Sequence, residues 1–181
     1  MAGFGQVHWH EGLFLRPHHL QLMQRSIHDQ FITERRLAGA YPYGLIEARI
    51  SDDQLENMRV SFDRLRIVMP SGLIVSVPEN AHLPSLDIKE AFGTAKGPFI
   101  VSIGVPLWYA SRGNTLDRDS GDDFRAKQIY RIVEIERADE NSGESPQTIL
   151  IRHINARLLL DGDDRSDMEV LPLLRIAPAT G

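Results

Sequence analysis

Four histidines stand close together near the start of the chain, and imidazole is the commonest protein ligand for transition metals. His8 and His10 alternate on an extended segment and so share a face, and His18 and His19 follow where a helical pattern begins. No carboxylate completes a known ligand spacing around them, and His10-Glu11 lacks the H-E-x-x-H arrangement of zinc hydrolases. These histidines are therefore read as surface and packing residues, with a His/Asp metal-dependent hydrolase as a third-placed alternative. Two acidic stretches, Asp117–Asp123 and Asp161–Asp167, invite a calcium reading. Neither has Gly at the sixth position or a bidentate Glu at the twelfth, so solvated acidic turns are expected. Nucleophilic chemistry has no residue to rest on: there is no G-x-S-x-G, S-x-x-K, Walker A or G-x-G-x-x-G. The reading is a protein that is not an enzyme and needs no cofactor.

Composition narrows the class further. The 181 residues contain no cysteine, which excludes disulfides, thiolate metal sites and cysteine nucleophiles. A formal charge of −5 gives no global field for nucleic acid, and no basic stripe or aromatic RNA-binding motif is present. The amino terminus lacks a basic segment followed by an apolar run, so no signal peptide is expected. The longest apolar stretch, Phe99 to Ala110, is too short to span a bilayer and contains Ser102, Gly104 and Pro106. A soluble, cytoplasmic domain is the expectation.

The elements that would position any functional side chain begin with one helix. Pro17 suits a first helical position, and the period predicts a helix over about residues 17–38. Leu20, Met23, Ile27, Phe31 and Ala38 fall on one stripe at about 100° per residue, with Arg25, Asp29 and Arg36 opposite. Leu22 and Ile32 lie on the polar side, which suggests a helix covered on both sides, the second side by a partner. Phe14 and Leu15 are expected to anchor the helix to the body; Trp9 is open between packing and interface. The candidate protein-binding set is Trp9, Glu11, Arg16, His19, Leu22, Arg25, Ile32 and Arg36.

Everything after the helix reads as strand. Leu45–Ile50 alternates, with Ile46, Ala48 and Ile50 on the face to be buried. Residues 52–57 suggest a short helical turn, and 58–69 a strand pair or one strand with a bulge at Asp63-Arg64. Pro70-Ser71-Gly72 turns the chain into a hairpin partner over 73–77. An irregular loop over 79–84 and one weak helical turn within 85–92 follow. Residues 98–105 are nearly all apolar and predict a central strand covered on both faces. Further strands are expected over 126–137, 148–160 and 170–176, the last an edge strand or a bulged one because of Pro172. Short strands between turns, with no helices between them, predict a mainly β, antiparallel sandwich with one long amino-terminal helix packed on it.

Several stretches also carry a family resemblance. Trp9-x-Glu11-Gly12-Leu-Phe14-Leu15-x-Pro17-x-His19-Leu-Gln21 resembles the amino-terminal signature of TssK, the baseplate subunit of bacterial type VI secretion systems. Ala40-Tyr-Pro-Tyr-Gly44, Leu65-x-Ile67-x-Met69-Pro-Ser-Gly72-x-Ile74 with Leu83-Pro84, and Arg152-His-x-x-x-Arg157-Leu resemble later motifs of that family, in order. His18 departs from it, standing where Gln is common. The resemblance implies a shoulder domain over residues 1–176, similar to the shoulders of phage receptor-binding proteins, with 177–181 starting a linker. It further implies docking onto the TssF/TssG wedge, a trimerising neck, and a head that reaches TssL and TssM of the TssJLM membrane complex. A β-sandwich that binds a small ligand or glycan near Trp108-Tyr109 is the alternative.

Overall fold

The computed structural model describes residues 5–116 and 126–177. In chain order it forms helix α1 (Pro17–Ala38), strand β1 (Gly44–Ile50), helix α2 (Asp52–Glu56), β2 (Arg59–Val60), β3 (Phe62–Val68), β4 (Ile74–Val77), β5 (Ala81–His82) and β6 (Leu86–Asp87). Helix α3 (Lys89–Thr94), β7 (Phe99–Pro106), β8 (Thr115–Leu116), β9 (Tyr130–Arg137), β10 (Gln147–Asn155), β11 (Arg157–Leu159) and β12 (Met168–Ile176) complete it. The chain is mostly β, with several antiparallel sheets and few helices.

The apolar run at the middle of the chain becomes the centre of one sheet. β7 lies between β11 and β12, both antiparallel to it, and every residue from Val101 to Pro106 is buried. Ile103 sits directly between Leu158 and Leu171 in this sheet. The β12 register slips between Pro172 and Leu174, at the proline expected to mark an edge or a bulge.

A second sheet runs β1–β3–β4, and its β1–β3 pairing skips Ile46 on β1 and Asp63 on β3, the latter at the anticipated bulge. Val60, Leu65, Ile67, Met69 and Val75 meet Val101, Ile103, Val105, Ile154 and Leu158 in one core. Full burial of each such aliphatic side chain is worth about 1.5–3 kcal/mol, so this cluster dominates the stability of the body.

Three expectations need correction. The strand expected over 148–160 is two strands: Ala156 divides β10 from β11, which join different sheets. The third sheet, β5–β10–β9–β8, is antiparallel only between β9 and β10; β5 and β8 are two-residue parallel additions with no counterpart in the sequence pattern. Strand β1 is not half-buried: Leu45 through Arg49 are all exposed. Its partners across the ladder, Ile67 and Leu65, are buried, so the core's cover stops at β3 and leaves the edge strand open. The acidic stretch expected over 117–123 lies outside the described residues.

Candidate protein-docking surface

Helix α1 begins with a hydrogen bond that its sequence does not advertise. The Arg16 backbone N–H donates to His19 Nδ1 at 3.0 Å, and the His19 N–H to the Arg16 carbonyl at 3.0 Å. One otherwise orphaned donor at the helix start is thereby satisfied. His19 also holds its ring 6.4 Å from that of Trp9, and the His8 and His10 rings lie 5.7 Å apart.

The orientation of the helix is the reverse of the one its amphipathic pattern suggests. The face turned to the body carries Ile32, which is 8 % exposed, and Ser26, also buried. Ile32 rests on Gly72 in the β3–β4 turn: a Cβ there would stand 2.8 Å from Ile32 Cγ1, and its φ of +92° is strained for any other residue. Arg35 Nη1 donates to the Gly72 carbonyl at 2.9 Å, and Arg36 Nη2 to the Pro70 and Ser71 carbonyls at 3.4 and 3.3 Å. Ser71 in turn donates its N–H to the Glu169 carboxylate on β12. Both arginines sit in the last helical turn, where positive charge also suits the helix dipole.

Farther up the helix, the Arg25 guanidinium lies 3.7 Å from the centre of the Trp108 ring, and burial pulls its pKa down. Arg152 of β10 reaches Gln24 at 3.3 Å and stacks over Tyr130 at 4.6 Å. His28, between these arginines, has its pKa lowered by burial and then by Arg25 and Arg35. A cationic face thus holds α1 on the sheets.

The apolar stripe points the other way. Leu20, Met23, Ile27 and Phe31 are all exposed, Phe31 by 65 %. Phe14 at 79 % and Leu15 at 54 % do not anchor the helix, contrary to expectation, and Trp9 is 53 % exposed. Leu37, Tyr41, Tyr43, Leu45 and Ile46 continue the exposed series into β1. Of 19 large apolar residues exposed among the described residues, 13 lie between Trp9 and Ile46. Isolated exposed aliphatics are ordinary; a run of this density in a quarter of the chain is not, and it makes this stretch the candidate contact surface.

The candidate contact residues accordingly divide. Trp9, Glu11, Arg16 and Leu22 are exposed and His19 is partly covered. Arg25 and Ile32 face the chain's own body, and Ile32 has little surface to offer; Arg36 is exposed but reaches the Pro70 and Ser71 carbonyls. The residues that the pattern assigned inward, Leu20, Met23, Ile27 and Phe31, are the ones on the surface.

Elsewhere, the polar groups with chemical promise are engaged in holding loops. Asp163 accepts the Leu160 N–H at 2.7 Å, Asp164 accepts the Ser166 N–H at 2.8 Å, and Asp161 pairs with Arg165 at 3.1 Å. Asp167 accepts the Tyr109 hydroxyl at 2.9 Å and pairs with Lys127 at 3.3 Å and Arg112 at 3.5 Å. The Tyr109 hydrogen bond leads the causes holding the Asp167 carboxyl below its ordinary range. Arg112 also stacks on Tyr109 at 4.1 Å, so both aromatics of the Trp108-Tyr109 pair lie under arginines of the same chain. Among the described residues no group of three or more His, Asp or Glu is placed to hold a metal, and no helix is long and apolar enough to cross a membrane.

Comparison with known proteins assigns this architecture. The chain is 24 % identical over 177 residues to the type VI secretion system baseplate component TssK1 of Pseudomonas aeruginosa PAO1, covering 97 % of this chain and 38 % of that protein. It thus spans well under half the length of that curated relative. Its fold is similar to a crystal structure of TssK (TM-score 0.81, 20 % identity), covering 96 % of this chain and 38 % of that one. It is also similar to a chain of a type VI secretion TssK–TssF–TssG baseplate subcomplex (TM-score 0.83, 18 % identity), covering 96 % of this chain and 56 % of that one. The family described as bacterial type VI secretion, EvfL, ImpJ and VasE matches residues 19–181, and the chain belongs to this family, that of TssK.

Proposed function

We propose that this chain is a non-enzymatic structural adaptor, the shoulder domain of a TssK-type baseplate subunit, and that it docks onto a TssF/TssG wedge at the cytoplasmic face of the inner membrane. The observation that carries this reading is the concentration of exposed apolar side chains between Trp9 and Ile46. Burying such a surface against a partner releases water from it at about 25 cal/mol per Å² of apolar area, with no bond chemistry required. A similar chain solved within a TssK–TssF–TssG baseplate subcomplex, and another within a type VI secretion baseplate complex, support the choice of partner. In this reading residues 1–176 form the shoulder, a β-sandwich with its helix, similar to the shoulders of phage receptor-binding proteins. Residues 177–181 begin the linker to a neck that supports trimers and a head that contacts TssL and TssM of the TssJLM complex. Trp9, Glu11, Arg16, His19 and Leu22 remain the contact candidates from the opening segment.

Co-expression of the 181-residue chain with TssF and TssG tests the reading. Co-elution of all three through affinity and size-exclusion steps is the expected result. A folded chain that elutes alone would overturn it. The glycan-binding alternative is not favoured, because Trp108 and Tyr109 are stacked beneath Arg25 and Arg112 rather than open to a sugar ring.

A further inference from the structure

We propose that the outward stripe of α1, Leu20, Met23, Ile27 and Phe31, is the seat for an amphipathic helix of the TssF/TssG wedge. This rests on the docking function proposed above and names the chemistry of the occupant.

The spacing of the stripe argues for a helix. Its members follow at intervals of three, four and four, and both Leu20 to Phe31 and Ile27 to Ala38 span eleven residues. An eleven-residue return is close to three whole turns, so the stripe runs straight along the helix for about 16 Å rather than winding around it. A straight, narrow apolar ridge fits the groove of a second helix laid alongside, read through anchors one turn apart. An added strand would instead need an open row of backbone donors and acceptors, which a helix face does not present.

The charge on this face argues for the chemistry. Arg25 and Arg35 are partly buried against the body, Arg36 is exposed but engaged on the Pro70 and Ser71 carbonyls, and Gln24, Gln30 and Glu34 border the stripe. A membrane-surface helix carries a cationic border beside its apolar face, and this one has Gln and Glu instead. The occupant therefore presents an apolar seam with a neutral or weakly basic border. Area agrees: at about 200 Å² per fully exposed large side chain, the exposed parts of the stripe with Trp9, Phe14 and Leu15 come to about 750 Å². One side of a stable protein interface buries about 800 Å². The Trp9 ring beside His19 places the opening segment at the amino-terminal end of the stripe.

The test places Ile27→Glu, and separately Gln21→Glu on another face, in the chain co-expressed with TssF and TssG. Ile27→Glu is expected to weaken capture at least tenfold while keeping the parent melting temperature within about 2 °C; Gln21→Glu is expected to bind within twofold of the parent. A photo-crosslinking residue at position 31 is expected to capture a TssF or TssG segment with apolar residues three and four apart. Equal capture by Ile27→Glu and the parent would overturn the inference while leaving the docking function standing. A crosslink to a second copy of this chain, or to an extended segment, would also overturn it. A parent chain that captures neither protein would overturn the docking function and this inference together.

Discussion

The body of the domain and its amino-terminal quarter are held by opposite kinds of force. In the body, Val60, Ile67, Met69, Val75, Val101 and Ile103 are wholly buried, and strands meet through aliphatic side chains in register. Between Trp9 and Ile46 most large apolar side chains face outward, Ile32 being the exception, and the helix is fixed chiefly by guanidinium groups on carbonyls and on an indole. The body is stable because it removes apolar surface from water. The helix is attached without spending its apolar face, which leaves that face available. A helix can thus be seated through charged and aromatic contacts while most of its hydrophobic stripe stays in water, a division that amphipathicity alone does not announce.

The comparison can be broken first at the core. Ile103→Ala removes a wholly buried side chain between Leu158 and Leu171 and is expected to cost about 2–5 kcal/mol, lowering the melting temperature by roughly 5–20 °C. Thermal unfolding followed by circular dichroism checks it. Gly72→Ala comes next. It adds a methyl group 2.8 Å from Ile32 at a residue with φ of +92°, and should cost about 1–3 kcal/mol. Hydrogen exchange should show α1 amides losing protection while those of β7 change little. Uniform loss across both regions would mean that the two are not separately held.

Arg25→Ala is the milder way to loosen the helix. Losing the stack on Trp108 and the cover that its aliphatic stem provides should cost about 0.5–2 kcal/mol. Tryptophan fluorescence, reporting Trp108 as it becomes wetter, and faster exchange at residues 22–30 are the expected readouts. An unchanged spectrum and unchanged exchange would show the stack to be incidental.

These contrasts also explain what was readable in the chain. The extent of α1 follows from Pro17 and the apolar period, and the buried β7 from a run with no polar alternation. Which side of α1 faces inward does not follow, because amphipathicity records only that one face is apolar. The default that the apolar face meets the body fails here because the arginines of the opposite face find carbonyls and an indole to bind on the body. The informative residues are Arg25, Ile32, Arg35 and Arg36, which contact the body, and Gly72, forty positions beyond Ile32 in the sequence. Only the fold brings them together. Strands β5 and β8 are not legible in the sequence because two residues carry no period, nor is the division at Ala156, because a small apolar residue suits either strand. Trp9, Phe14 and Leu15 were recognisable as important, but their exposure was not legible from residue type.

The smallest expected effect concerns pH and touches the helix seat rather than the core. His28 is half-buried on α1, and burial first, then Arg25 and Arg35, lowers its pKa from 6.5, against an opposing contribution from Asp29. The unfolded chain therefore takes up the proton before the folded one as pH falls. Stability present at neutral pH is lost as pH drops through the ordinary histidine value toward the lowered folded one, and is unaffected above pH 7.5. His153 on β10, lowered by burial and by Arg131, adds a change of the same sign. The melting temperature should thus be lower at pH 5 than at pH 7.5, with α1 amides losing protection before those of β7. His28→Gln should keep the His153 part of the decline and abolish the early loss at α1. If α1 still loosens first in that variant, the imidazole is not what couples the seat to acid, and the arginine contacts must weaken by another route.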